Sequence, residues 1–161
     1  MTADKPASAP DLSFLLAHTS HVLTTRMTAA LAEIGLTPRA FCVLEHALPG
    51  ELTQIELAGL ADLDKTTMVV TVDELEAAGY ALRVAAPADR RARLVTVTPA
   101  GQEIAAAGRR IVDRVHGEVL DTLPATRRTS FVDALGELAS GLLAEPVPCE
   151  RPVRRVRQPA G

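Results

Sequence analysis

From Leu12 the apolar residues fall at 12, 15, 16, 22, 23, 27, 30, 31 and 34. Steps of three and four put them along one helical face. The pattern predicts a helix of about six turns reaching Ile34, closed by Gly35. Three further start signals follow. Thr37 precedes Pro38, with Leu36 and Phe41 spaced as a hydrophobic staple. Thr53-Gln54-Ile55-Glu56 reads as a capping box, with Leu52 and Leu57 as its staple. Asp64 then caps a helix from Lys65 to about Ala78, stopped by Gly79. A short helix over 54–60, a tight turn and a longer helix from 65 have helix-turn-helix size and spacing. Leu57, Leu60 and Leu63 are placed to pack against Met68, Val72 and Leu75.

The period changes after Gly79. Tyr80, Leu82 and Val84 alternate, Ala85-Ala86-Pro87-Ala88-Asp89 interrupts, and Leu94-Val95-Thr96-Val97 is β-branched. Two short strands around a polar loop make a hairpin. Thr98-Pro99 opens a helix running to about Leu120, and Pro124 opens the last. There Phe131, Leu135, Leu138 and Leu142 share one face. The expected architecture is mainly α with one small β-hairpin. Residues 1–10 read as a disordered lead, and 146–161 as a flexible, basic, Pro-rich tail.

Composition narrows the function. One domain's length is present in 161 residues. Phe14, Phe41, Tyr80 and Phe131 are the only aromatics, too few for the stacking platforms of a single-strand binder. No apolar run approaches the ~18 residues of a membrane span, and the first residues lack a signal-peptide core. Two cysteines make no disulfide framework, which points to the reducing cytoplasm. Cys42 sits in an apolar helical pattern and reads as inert packing, while Cys149 falls in the tail. Net charge is −3, so placement of the basic residues has to carry any nucleic-acid argument. Residues 63–79 hold Lys65 against Asp64, Asp73, Glu74 and Glu76, a net of −3. Residues 80–98 hold Arg83, Arg90, Arg91 and Arg93 against Asp89, a net of +3. Positive charge is therefore concentrated in the hairpin. The chain has no Gly-rich phosphate loop, no nucleophile–base–acid pattern and no Cys/His set with metal spacing, so it does not read as an enzyme and no cofactor is expected. His18 and His21 stand three apart, but two ligands make no metal site.

The stretches LTPRAFCVL, LTQIELAGLADLDKTTMVVTVDELEAAGY and PADRRARLVTVTPAGQEI resemble the MarR-type winged helix-turn-helix regulators. With the flanking helices the resemblance covers about residues 12–143, and the D-R-R hairpin running into T-P-A-G is its most specific part. It implies one domain over 11–145. Segments 11–35 and 99–144 would dimerise across a two-fold axis, and 37–98 would bind double-stranded DNA. A homodimer of this form reads a pseudo-palindromic operator, its recognition helices about 34 Å apart. The family reading is a repressor released by a small aromatic or anionic effector. The rival reading is a helical dimer that binds a ligand or a protein without DNA.

The resemblance distributes roles along the chain. Thr53, Gln54, Lys65, Thr66 and Thr67 form the expected DNA-facing helix starts, where hydroxyls, an ammonium and the helix dipole suit phosphate and base edges. Val70 and Thr71 are expected to meet thymine methyls. Many relatives carry Arg where Val70 stands, which shifts expected affinity toward the hairpin. Arg90, Arg91 and Arg93 are expected along the backbone or minor groove, with Asp89 steadying the turn. His18, His21, Arg26, Arg39 and Phe41 are the effector candidates. Arg26, or His21 beside an arginine, suits a carboxylate. The same cations also suit an interface salt bridge or a snorkelling stem.

Overall fold

The computed structural model describes residues 11–50, 52–86 and 93–147. It contains α1 (Leu12–Ala32), α2 (Pro38–Ala47), α3 (Gln54–Leu60), α4 (Lys65–Ala77), β1 (Ala81–Ala85), β2 (Arg93–Val97), α5 (Pro99–Leu120) and α6 (Ala125–Ser140). The lead 1–10, Asp89, Arg90, Arg91, Cys149 and the tail from 148 lie outside the described residues. The chain forms two compact units, one ending at Glu118 and one beginning at Val119.

The helix starts are held by side chains that replace missing backbone partners. Asp11 accepts from the amides of Ser13 and Phe14. Thr37 accepts from Ala40. Thr53 and Glu56 form the full reciprocal box, and Asp64 accepts from Thr67. After α4, Gly79 takes φ +75°. Its amide donates to the Glu76 carbonyl and that of Tyr80 to the Leu75 carbonyl, each at 2.9 Å. This left-handed closure needs a residue without Cβ crowding. Asp62, at φ 51°, turns the chain between α3 and α4, a conformation that Asp tolerates better than most residues.

β1 and β2 pair antiparallel, with Ala81 opposite Val97 and Ala85 opposite Arg93. An isolated bridge joins Thr53 to Leu94, and the Val95 amide donates to the Leu52 carbonyl at 3.1 Å. The hairpin is thereby sewn to the start of α3. Thr98 joins its other end to two helices. Its hydroxyl donates to the Gly79 carbonyl at 2.7 Å and accepts from the Gly101 amide at 3.0 Å.

The first unit's core contains Leu31, Leu36, Phe41, Val43, Leu44, Leu57, Met68, Val72, Leu75, Val95, Val97 and Val112. Both staples appear here, since Leu36, Phe41 and Leu57 are buried and Leu52 packs against the same cluster. Leu63 is half-buried against it, but Leu60 is exposed, so it does not close the α3–α4 angle as expected. The strand phase is set by the structure. Ala81 and half-buried Arg83 lie on the inner face, while Leu82 and Val84 face out.

In the second unit Arg128 holds the turn before α6. Its Nε donates to the Leu123 carbonyl at 3.1 Å, and Nη1 lies 2.6 Å from Asp121 Oδ1. Phe131, Val132, Leu135 and Leu138 of α6 are exposed. Leu142 lies beyond the helix end and is 91% exposed. In the first unit the start of α1 also carries exposed Leu12, Phe14 and Leu15. Among the described residues no helix is long and apolar enough to cross a membrane.

Candidate nucleic-acid interface

α3, α4 and β2 meet around a groove of ≈ 410 Å³. Gln54, Ile55 and Ala58 of α3 line it together with Lys65, Met68 and Val69 of α4, Thr53 and Arg93. The structure thus brings four of the predicted DNA-facing residues, Thr53, Gln54, Lys65 and Arg93, around one concavity. Lys65, Thr66, Val69 and Val70 are exposed on the first two turns of α4, and Arg93 is exposed at the start of β2.

The caps preset the local electrostatics. Asp64 accepts from the Thr67 hydroxyl at 2.6 Å and the Thr67 amide at 2.9 Å. These bonds, the hydroxyl's foremost, hold its carboxyl below the usual Asp range. Glu56 accepts from the Thr53 amide at 2.7 Å and its hydroxyl at 2.7 Å, and the amide bond leads in lowering its pKa. Thr53 and Thr67 are therefore engaged in capping, while Lys65 and Thr66 stand exposed beside them.

Thr71 corrects the sequence expectation. It is fully buried, and its hydroxyl donates to the Thr67 carbonyl at 2.7 Å. Met68, Thr71, Val72 and Leu75 share the inward face of α4, so Thr71 packs the lobe and cannot reach a thymine methyl.

Arg83, counted in the sequence among the hairpin's positive charges, is engaged by neighbouring groups. Its Nε donates to Gln54 Oε1 at 3.0 Å, and Nη2 donates to the Val69 carbonyl at 3.2 Å. Nη1 lies 2.7 Å from Asp73 Oδ1 and pairs with Glu76. The Arg83 amide donates to Glu76 Oε1 at 2.6 Å. Sequence reading missed this cluster because alternation at 80, 82 and 84 assigned no face to Arg83. The signal was present in Asp73 and Glu76, three apart on one helical flank, near an arginine on the following strand.

The effector candidates are not all alike. His18, His21, Arg26 and Arg39 are exposed, and His18 stacks on Phe14 at 5.4 Å between centroids. Phe41 is buried, with the Arg109 guanidinium 5.4 Å above its ring. Arg109 pairs with Glu45. None of the five candidates lines the α3–α4 groove. Cys42 is half-buried rather than buried, and burial followed by the Glu45 charge raises its pKa. No group of three or more His, Cys, Asp and Glu able to hold a metal occurs among the described residues.

A two-helix turn with an exposed second helix, flanked by an antiparallel hairpin, defines a winged helix-turn-helix protein. A family model described as MarR family matches residues 34–92, beginning just after α1 and ending just before β2. CouR from Rhodococcus jostii RHA1, solved with p-coumaroyl-CoA, is 29% identical at a TM-score of 0.71, over 84% of this chain and 96% of that one. The Mycobacterium tuberculosis MarR family protein RV2887, solved with salicylic acid, is 29% identical at 0.68, over 81% and 98%. The transcriptional repressor CouR on a 23-mer DNA duplex is 26% identical at 0.74, over 80% and 92%. Residues 34–92 thus match the MarR family model, and over 80–84% of its length the chain is similar to transcriptional regulators of known structure.

Proposed function

We propose that the chain is a repressor that binds a pseudo-palindromic operator as a homodimer and leaves it when a small aromatic or anionic effector binds. The observation that carries this is the exposed start of α4, with Lys65, Thr66, Val69 and Val70 presented beside Arg93 of the hairpin. A helix N-terminus and an ammonium suit phosphate, and Val70 suits a thymine methyl in the major groove. Arg90, Arg91 and Arg93 add cations for the backbone or minor groove.

Exposed apolar faces on α1 and α6 support the dimer. A second copy of the chain would cover each. Relatives solved with p-coumaroyl-CoA and salicylic acid support an aromatic, anionic effector. His21, Arg26 and Arg39 are exposed cationic or titratable groups suited to its carboxylate. A coupling of about 1–3 kcal/mol between effector and duplex is enough for a 5–150-fold loss of affinity.

The test is a mobility shift on DNA from upstream of the chain's own reading frame, at two salt concentrations. Binding that weakens steeply with salt is expected, and aromatic acids that raise the melting temperature should release the duplex. Absence of a shift at low salt would favour a dimer that binds only a ligand or a protein.

A further inference from the structure

Arg83 reaches three elements at once. It leaves β1, takes the Oε1 of Gln54 at the first residue of α3, and grips α4 at Val69, Asp73 and Glu76. Those three α4 positions are four and three residues apart, so they form one stripe along the helix. A rotation of α4 by one residue, about 100°, would carry the whole stripe away from the guanidinium. The planar fork therefore fixes the helix's rotational setting, which a flexible ammonium does not do. The side chain is only 19% exposed, and its fork is already turned onto these groups. On the same helix, Lys65, Thr66 and Val70 are exposed.

We propose that Arg83 is a positioning residue for DNA reading. It locks α4 against α3 and the hairpin, and so sets which α4 side chains meet base edges, without touching the duplex itself. Gln54 acts within this lock through its carbonyl oxygen, whatever its amide does toward DNA. The proposal rests on the DNA-binding reading above.

The experiment begins with a duplex enriched by the wild-type full-length chain from a random-sequence pool. Wild type, Arg83→Met, Arg83→Lys, Asp73→Asn and Lys65→Ala are titrated on that duplex and on a scrambled one. Several salt concentrations are used, well below each variant's melting temperature. Arg83→Met should lower affinity for the enriched duplex by about tenfold, the cost of one misread base pair. Affinity for the scrambled duplex and the salt slope should stay as in wild type. Arg83→Lys should fail to restore the ratio, and Asp73→Asn should lower it too. Lys65→Ala is the contrast, expected to weaken both duplexes and reduce the slope by about one.

Equal losses on both duplexes with a reduced slope would make Arg83 a phosphate contact and overturn the proposal. So would rescue by Arg83→Lys, or tighter binding by Asp73→Asn from a released guanidinium. A lower melting temperature with an unchanged affinity ratio would also overturn it, leaving Arg83 a stabilising residue only. If Arg83→Met does not fold, Arg83→Lys and Asp73→Asn decide by the same ratio. A wild-type chain that enriches no duplex would instead overturn the DNA reading, and this proposal with it.

Discussion

At the scale of single residues, the helix starts are tuned by hydrogen bonds to carboxylates and hydroxyls. Asp64 and Glu56 both have lowered pKa values in the folded chain, through Thr67 and Thr53. The sign follows from linkage. Their contribution to stability is complete above the unfolded-state pKa and is lost as pH falls through the lowered folded value. Urea midpoints measured from neutral pH into the acid range should therefore fall. The fall should be shallower in Asp64→Asn, which keeps a capping oxygen without the charge. Thr37→Ala removes the bond to the Ala40 amide and should cost about 1 kcal/mol, read as a urea midpoint shift with unchanged slope. Cys42 has its pKa raised by burial and by Glu45, so its thiolate is scarce at neutral pH. In a Cys149→Ser background, disulfide reagents should modify it more slowly than a free cysteine model, and unfolding should remove the difference. Thr71 shows why residue roles were read less reliably than residue positions. Its type suits a base contact, but its place three after Met68 and four before Leu75 puts it on the inward stripe. The periodicity contained that answer, and the functional expectation overrode it.

At the scale of elements, boundaries were legible because caps and breakers are local chemistry. Thr37-Pro38, Thr53 with Glu56, Asp64 and Gly79 each act through backbone groups within a few residues, so α2, α3 and α4 begin where the sequence places them. The hairpin was legible as a hairpin, but its face was not. Alternation alone gives two phases, and the residues at 80, 82 and 84 do not choose between them. What decides the phase is non-local: Asp73 and Glu76 wait on α4 for Arg83, and Ala81 is the small residue that fits under the strand. The join between hairpin and α5 offers a sharp test. A Cβ on Gly101 would run into the Tyr80 carbonyl and come within 2.7 Å of Val97 Cγ1. Neither backbone nor buried strand can yield cheaply, so Gly101→Ala should destabilise by about 1–3 kcal/mol, despite alanine's better helix propensity. Thermal melts of the two chains would show it. An unchanged or higher melting temperature would mean that α5 shifts freely against the hairpin.

At the scale of the whole molecule, charge and apolar surface point to assembly. A net charge of −3 gives no general attraction for a polyanion, so binding has to come from local cations engaged together. Single lobes of this kind hold a duplex weakly, and coupling two of them multiplies affinity through effective concentration. The exposed aromatic and aliphatic residues of α6 are where that coupling is vulnerable. Phe131 and Leu138 are seven apart on one face, and both are exposed in the single chain. Neither belongs to the DNA-facing lobe. Phe131→Glu combined with Leu138→Glu places two carboxylates on that face, and a second copy could bury them only at high cost. Wild type should then elute with light scattering at about twice the 17.0 kDa of one chain, and the double variant at the mass of one. Circular dichroism should retain the helical signal if the lobe folds alone. Affinity for the operator should fall by roughly 100-fold or more, while the weak binding of a single lobe to any duplex persists. A double variant that stays dimeric and binds as wild type does would place the dimer contact elsewhere and remove α6 from the reading.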